Sequence, residues 1–376
     1  MPDFVIYSTS NTYYQSWQCD LLEYSYVNAH QKGELIALCS EGENGDLSPR
    51  ESNIAKVIPL PSYMKNQHTG DFWGIANKLG SLKSWIDNQE VEGSVLFLDP
   101  DMVFIKPIDL HVKEGKVIAQ RWVDSGIAGH PIFDKYCRKN RHRITKETIF
   151  MYPYLMHTAD IRKTMERYYE LSHEIRDVEK KWESDMYALV IVAAEFALDV
   201  ETLDDMGVCN NWEEHNNLDT PIVHFPVPFL NAEGQKIWFK QDFTQQAIKK
   251  PWTNLPAPSE AKSRAEYSVL ALIQNLINKQ EIEASGSDYL YWQNMPRSLL
   301  KYQPNNTKYI VFDQYPGGFN NIRMSLELAA VFALLLNRVL VLPPRTNYYL
   351  LEGECGFEDF FDISALGIEV IEFEDY

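Results

Sequence analysis

The stretch that decides the fold is Val95-Leu96-Phe97-Leu98-Asp99-Pro100-Asp101-Met102-Val103-Phe104-Ile105-Lys106-Pro107. Four apolar residues in succession suit a strand covered on both faces, and the run stops abruptly at a proline flanked by two aspartates. Such strands belong to layered α/β sheets, which place ligands beyond the carboxyl ends of their strands. Asp99 and Asp101 stand at that end and can aim both carboxylates at one point. Paired hard oxygens there suit Mg²⁺ or Mn²⁺ bridging a diphosphate. An isolated Asp-Pro-Asp is also an ordinary solvated turn, so the surrounding sequence has to carry the metal reading.

Working outward, the first hundred residues alternate strand and helix patterns: Phe4 to Tyr7, a helix near Trp17 to His30, Leu35 to Leu38, Lys56 to Ile58, a helix from Phe72 to Asn88, and Ser94 to Leu98. This order predicts an α/β domain with a mostly parallel sheet. Phe72, Ile75, Ala76, Leu79, Leu82, Trp85 and Ile86 recur at three- and four-residue spacing, so these aromatics are expected in the core, with Lys78 and Lys83 off that face. Helices are predicted over Ala159 to Arg176 and Trp182 to Phe196, and a short strand or loop from Ile222 to His224. Proline-rich sequence after Phe243 marks a boundary near Lys250, followed by a helix over Glu260 to Ile277 capped by Ser259. The expected units are residues 1–250, a helical connector over 251–307, and 308–376. The last unit pairs the strand around YIVF with a helix over Ile322 to Leu336 and the strand RVLVLPP. An α/β domain needs roughly 100–150 residues to cover both sheet faces, so this unit reads as the first part of a larger one.

Composition limits the function classes. The chain has 376 residues, with 35 basic against 53 acidic side chains and a net charge of −18. That charge argues against a nucleic-acid partner and requires an anionic ligand to be held by a metal or by local donors. The five cysteines are widely spaced with no CxxC pair, so reduced thiols are expected. MPDFVIYSTS lacks a leader pattern and reads as a first strand, and the apolar stretches are too interrupted for a membrane span, so a cytoplasmic protein is expected.

Three further places could carry chemistry. His224, in Ile222-Val-His-Phe225, could complete a cation site begun by Asp99 and Asp101, although a lone histidine before a phenylalanine is more often a core hydrogen-bonder. Glu183 and Asp185 lie at a helix start, where capping is the plain explanation. Asp185 could instead serve as a general base or accept hydrogen bonds from sugar hydroxyls. Asn77 and Lys78 could approach a phosphate or a sugar hydroxyl. Gly317-Gly-Phe-Asn-Asn-Ile-Arg323 joins a strand to a helix but is neither GxGxxG nor a Walker loop.

These residues together resemble a known family. Tyr14 with Trp17-Gln18-Cys19, Asn77-Lys78 with Trp85, LDPDMVFIKPI, WESDMY, and HFPVPF followed by Trp238-Phe239-Lys240 occur in the order found in peptidyl serine α-galactosyltransferases and hydroxyproline O-arabinosyltransferases. The resemblance implies a GT-A (nucleotide-diphospho-sugar transferase) domain that moves a sugar, galactose or a pentose, from a UDP-sugar to a hydroxyl of a glycan or protein acceptor. It implies Asp99, Asp101 and His224 as ligands of Mn²⁺ (or Mg²⁺) and Asp185 as the catalytic acidic residue. Ser8, Thr9, Gln18, Asn77, Lys78 and Lys240 join Asp99 and Asp101 as candidates for holding the nucleotide sugar. The arabinosyltransferases carry Glu at the position of Asp99, whereas the serine galactosyltransferases have Asp-x-Asp. The alternative class is a noncatalytic module binding a nucleotide sugar or glycan within a larger glycosylation protein. YPGGFNNIRMSLELAAVFALLLNRVLVLPP and FEDFFDI resemble the beginning of the GDP-fucose protein O-fucosyltransferases, implying a partial GT-B-like α/β unit in which Asn321 and Arg323 match the Gly-rich turn. The donor-binding half of that family is not in this stretch, so fucosyl transfer is not expected of it.

Overall fold

The computed structural model describes residues 1–42, 50–66, 70–122, 127–210, 220–244, 255–284, 305–313, 319–347 and 354–376, in two units, Met1–Leu276 and Ile277–Tyr376. In the first unit, chain order runs β1 (Phe4–Ser10), α1 (Tyr13–Asn28), β2 (Glu34–Ser40), β3 (Lys56–Leu60), α2 (Ile75–Asn88), β4 (Ser94–Leu98), β5 (Met102–Phe104) and β6 (Lys116–Arg121). It continues through α3 (Pro131–Tyr136), β7 (Phe150–His157), α4 (Thr158–Glu179), α5 (Ser184–Glu195), β8 (Asp199–Leu203), β9 (Gly207–Cys209) and β10 (Ile222–His224). A small hairpin, β11 (Phe229–Leu230) and β12 (Lys236–Trp238), precedes α6 (Arg264–Ala284).

Seven strands form the main sheet in the order β3-β2-β1-β4-β7-β6-β8. β3, β2, β1 and β4 are parallel, β7 runs against both β4 and β6, and β6 is parallel to β8. The sheet is therefore mostly parallel, with β7 reversed. Every residue of β4 is buried, as its apolar run requires. Leu79, Leu82, Trp85 and Ile86 of α2 enter the same core as Val95, Leu96 and Phe97. Thr12 caps α1 by accepting from the Gln15 amide at 3.2 Å.

Two local expectations change. Helix α2 starts at Ile75, not Phe72: Phe72 is 49% exposed, and Trp73 is the buried aromatic. Helix α6 starts at Arg264 and is capped by Ser263, not Ser259. The Glu266 amide donates to Ser263 Oγ (3.1 Å) and the Ser263 amide to Glu266 Oε2 (3.2 Å), a reciprocal capping box. Ser263 Oγ also donates to Asn210 O (2.8 Å), and Glu266 Oε1 accepts from the Leu230 amide (3.2 Å). These bonds tie the start of α6 to the rest of the first unit.

In the second unit, strands Asn305–Val311, Arg338–Val341 and Val370–Ile371 form a parallel sheet. It is accompanied by α7 (Phe319–Leu335), with Ile322, Leu326, Ala333, Leu340 and Phe357 in the core. Gly317 and Gly318 of the Gly-rich turn lie outside the described residues, as do residues 251–254 and 285–304 of the expected connector. Among the described residues no helix is long and apolar enough to cross a membrane.

Candidate active site

The carboxyl end of β4 delivers Asp99 and Asp101, and the next three residues form β5. This strand pairs antiparallel with β10 in a register that sets His224 against Met102. The Phe225 amide donates to Asp101 O (3.1 Å) and locks the crossing. His224 Nε2 consequently lies 3.2 Å from Asp101 Oδ2, although 123 residues separate them in sequence. Trp17, Phe225, Phe229 and Trp238 pack as an aromatic cluster beside this crossing, with Trp17 and Trp238 centroids 5.9 Å apart and Phe229 and Trp238 4.9 Å apart. The cluster fixes the turn after Trp238, from which the Lys240 ammonium reaches Asp101 Oδ2.

The second half of the site comes from two helix starts. Lys78, in the first turn of α2, is only 13% exposed; its Nζ lies 2.8 Å from Asp99 Oδ1 and 3.3 Å from Asp185 Oδ2. The ammonium also sits 3.7 Å from the centre of the Tyr152 ring, a cation–π contact. Asp185, in the first turn of α5, is buried. Its Oδ2 accepts from Tyr152 OH (3.1 Å), Tyr152 OH pairs with Tyr168 OH (2.7 Å), and Asp185 Oδ1 has no hydrogen-bond partner among the described residues. Asp185 is thus linked to Asp99 through Lys78, a contact that its place in the sequence does not show.

The electrostatics follow from burial and these partners. Burial alone would push the Asp101 carboxyl up, but Lys240 and His224 outweigh it and hold Asp101 well below the usual carboxylate range. Burial would likewise lower His224, yet Asp101 raises it to about 10. Lys78 is raised because Asp99 and Asp185 overcome its burial, and Asp185 is raised chiefly by burial. Asp99, Asp101 and Asp185 thus face Lys78, Lys240 and His224 at close range, despite the acidic chain.

All these side chains line one cavity of about 670 Å³, together with Ser8, Thr9, Gln18 and Asn77. Several of the latter already have protein partners. Ser8 Oγ meets Ser81 Oγ at 2.9 Å, Thr9 Oγ1 donates to Gln15 Oε1 at 3.1 Å, and Gln18 Nε2 donates to Tyr14 O at 2.6 Å. Asn77 Nδ2 donates to Ser10 Oγ (2.8 Å) while its Oδ1 accepts from the Tyr63 amide (2.6 Å), so it braces the cavity wall. Sequence reasoning missed Tyr152 and Tyr168. The aromatic run Phe150-Met-Tyr-Pro-Tyr154 is the available signal for β7, but its proline obscures the strand pattern.

The N-terminal domain pattern of the hydroxyproline O-arabinosyltransferase family matches residues 4–202, more than half of the chain. The chain belongs to this family. Residues 309–376 match the GDP-fucose protein O-fucosyltransferase pattern. A curated relative, the peptidyl serine alpha-galactosyltransferase of Arabidopsis thaliana, is 24% identical over 276 residues, covering 68% of this chain. The chain corresponds to 34% of that protein's length. Among solved structures, the galactosyltransferase LgtC with donor and acceptor sugar analogs aligns at a TM-score of 0.43 and 12% identity, over 65% of this chain and 93% of that one. The bifunctional glycosyltransferase WbbM aligns at 0.44 and 12%, over 74% and 51%. The family is one of glycosyltransferases, and the first unit has the mostly parallel α/β sheet expected from the sequence.

The donor set is consistent with a divalent cation. Asp99, Asp101 and His224 offer ligand atoms within 4.8 Å of one another. Two carboxylate oxygens and an imidazole nitrogen suit Mn²⁺ or Mg²⁺.

Proposed function

We propose that residues 1–276 form a metal-dependent glycosyltransferase that moves a sugar, galactose or a pentose, from a UDP-sugar to the hydroxyl of a peptide serine or hydroxyproline. The observation that carries this reading is the convergence of Asp99, Asp101 and His224 with Lys78, Lys240 and Asp185 on one cavity wall. Two buried carboxylates and a half-buried third with matched cations are costly to assemble unless a charged ligand uses them.

In this reading Asp99, Asp101 and His224 hold the cation, which when bound offsets charge on the departing diphosphate. Lys240, adjoining Asp101, contributes a second positive group toward the phosphates. Lys78 stands between Asp99 and Asp185 and supplies a positive group on the Asp185 side of the cation ligands. Asp185 Oδ1, buried and unpartnered, accepts a hydroxyl hydrogen from the sugar or the incoming acceptor. Tyr152 and Tyr168 hold the Asp185 carboxylate in place. The serine or hydroxyproline acceptor is taken from the family and from the Arabidopsis relative's name.

The test is donor hydrolysis with UDP-galactose, UDP-arabinose, UDP-xylose and UDP-glucose, each with Mn²⁺ and with EDTA. Hydrolysis of at least one donor that EDTA abolishes is expected. UDP binding without turnover of any donor would favour the noncatalytic module, and undiminished hydrolysis in EDTA would refute the metal assignment.

A further inference from the structure

One wall of the cavity has no part in the chemistry above. Trp182 lines it and is 58% exposed, an unusual state for so large an apolar ring. Its backbone is nevertheless firmly held. Trp73 Nε1 donates to Trp182 O (3.3 Å), and Arg176 donates to Lys180 O (3.1 Å) and Lys181 O (3.4 Å) while paired with Asp71 at 2.9 Å. The indole passes beside Gly74, where an added Cβ would meet the ring at 3.8 Å. A fixed backbone with an exposed ring is the arrangement expected of a platform.

Its position relative to the reacting groups follows from the turn that leads into α5. Trp182 lies in that turn, three residues before Asp185, and Gly74 is the residue before α2, four before Lys78. All four line the same cavity. A group resting on Trp182 lies next to Asp185. Met64, Ile75 and Met186 line the same cavity, as does Glu183. A pyrrolidine ring presents apolar C–H faces and at most one hydroxyl, and extended proline-rich chains dock against exposed aromatic rings.

We propose that Trp182 is the acceptor platform, stacking on the pyrrolidine ring of a proline or hydroxyproline in an extended peptide and seating the acceptor hydroxyl beside Asp185. This assignment rests on the glycosyltransferase reading and adds the residue that selects the acceptor. The test uses the full chain with UDP and Mn²⁺ and titrates, by calorimetry, a synthetic oligoproline peptide containing serine and hydroxyproline. A second peptide has its prolines replaced by glycine. Trp182→Ala should weaken binding of the first peptide about tenfold, and Trp182→Phe should keep it within about threefold of the parent. UDP affinity should stay within about twofold in both variants. The parent should prefer the first peptide to the second, and Trp182→Ala should lose that preference. Equal peptide affinity in the parent and Trp182→Ala, a parallel loss of UDP affinity, or a parent that binds oligosaccharides but neither peptide would each overturn the proposal. Failure of the glycosyltransferase reading is separately visible, as peptide binding by a parent that hydrolyses no UDP-sugar.

Discussion

Replacing Lys78 with methionine tests whether this lysine is the internal counter-ion that the cavity requires. Methionine keeps most of the side chain's length and can still pack on the Tyr152 ring, so the change chiefly removes the charge. In the parent, Nζ lies 2.8 Å from Asp99 Oδ1 and 3.3 Å from Asp185 Oδ2, with side-chain exposures of 17% and 1% at the two aspartates. Without the ammonium, Asp185 must either stay charged in a dry site or take up a proton. Breaking a buried pair in this way costs about 3–5 kcal/mol. At ~2 °C per kcal/mol for a unit of this size, the melting temperature should fall by roughly 6–10 °C. Thermal melts followed by circular dichroism, in EDTA so that no cation compensates, provide the readout. Adding Asp185→Asn removes the stranded charge and should restore about half of the loss, because the two sites are directly coupled. If Lys78→Met melts within about 2 °C of the parent, or if the second substitution restores nothing, the ammonium is not the internal counter-ion described here.

Asp99→Ala and Asp101→Ala should each abolish transfer and remove the Mn²⁺-dependent part of UDP affinity, with His224→Ala acting in the same direction but less severely; unchanged cation-dependent affinity in both aspartate variants refutes the ligand assignment. Asp185→Asn should leave Mn²⁺-dependent UDP affinity nearly intact while cutting transfer by about a hundredfold or more. Transfer at the parent rate with a lower melting temperature would make Asp185 a structural helix-start residue. Ser263→Ala removes the acceptor of the Glu266 amide and the donor to Asn210 O. It should destabilise the first unit by about 1–2 kcal/mol in denaturant melts, and a cost below about 0.3 kcal/mol would contradict the capping role.

The sequence alone determined the elements whose apolar pattern is complete within themselves. Ser94–Leu98 is a strand because its continuous apolar run needs cover on both faces, and the proline between two aspartates ends it with the acids at the ligand-binding edge. The body of α5 was legible for the same reason, as was the family, whose motifs recur in order along the chain. The carboxylates and the histidine could be named as candidates because their chemistry is apparent from residue type.

Tertiary structure decided who faces whom. β5 and β10 are three residues each, too short to announce their pairing, yet their register brings His224 to Asp101. Lys78 lies off the apolar stripe of α2 and so reads as solvated, but the first turn of that helix opens onto the cavity, and Asp99 and Asp185 meet its charge there. Tyr152 was hidden because β7 is a reversed strand whose aromatic run contains a proline. Ser263 rather than Ser259 caps α6 because Asn210 and Leu230 approach from elsewhere in the chain. Periodicity records which side of its own element a residue buries. The partner of a buried charge is set by a distant segment, and only the folded chain brings the two together.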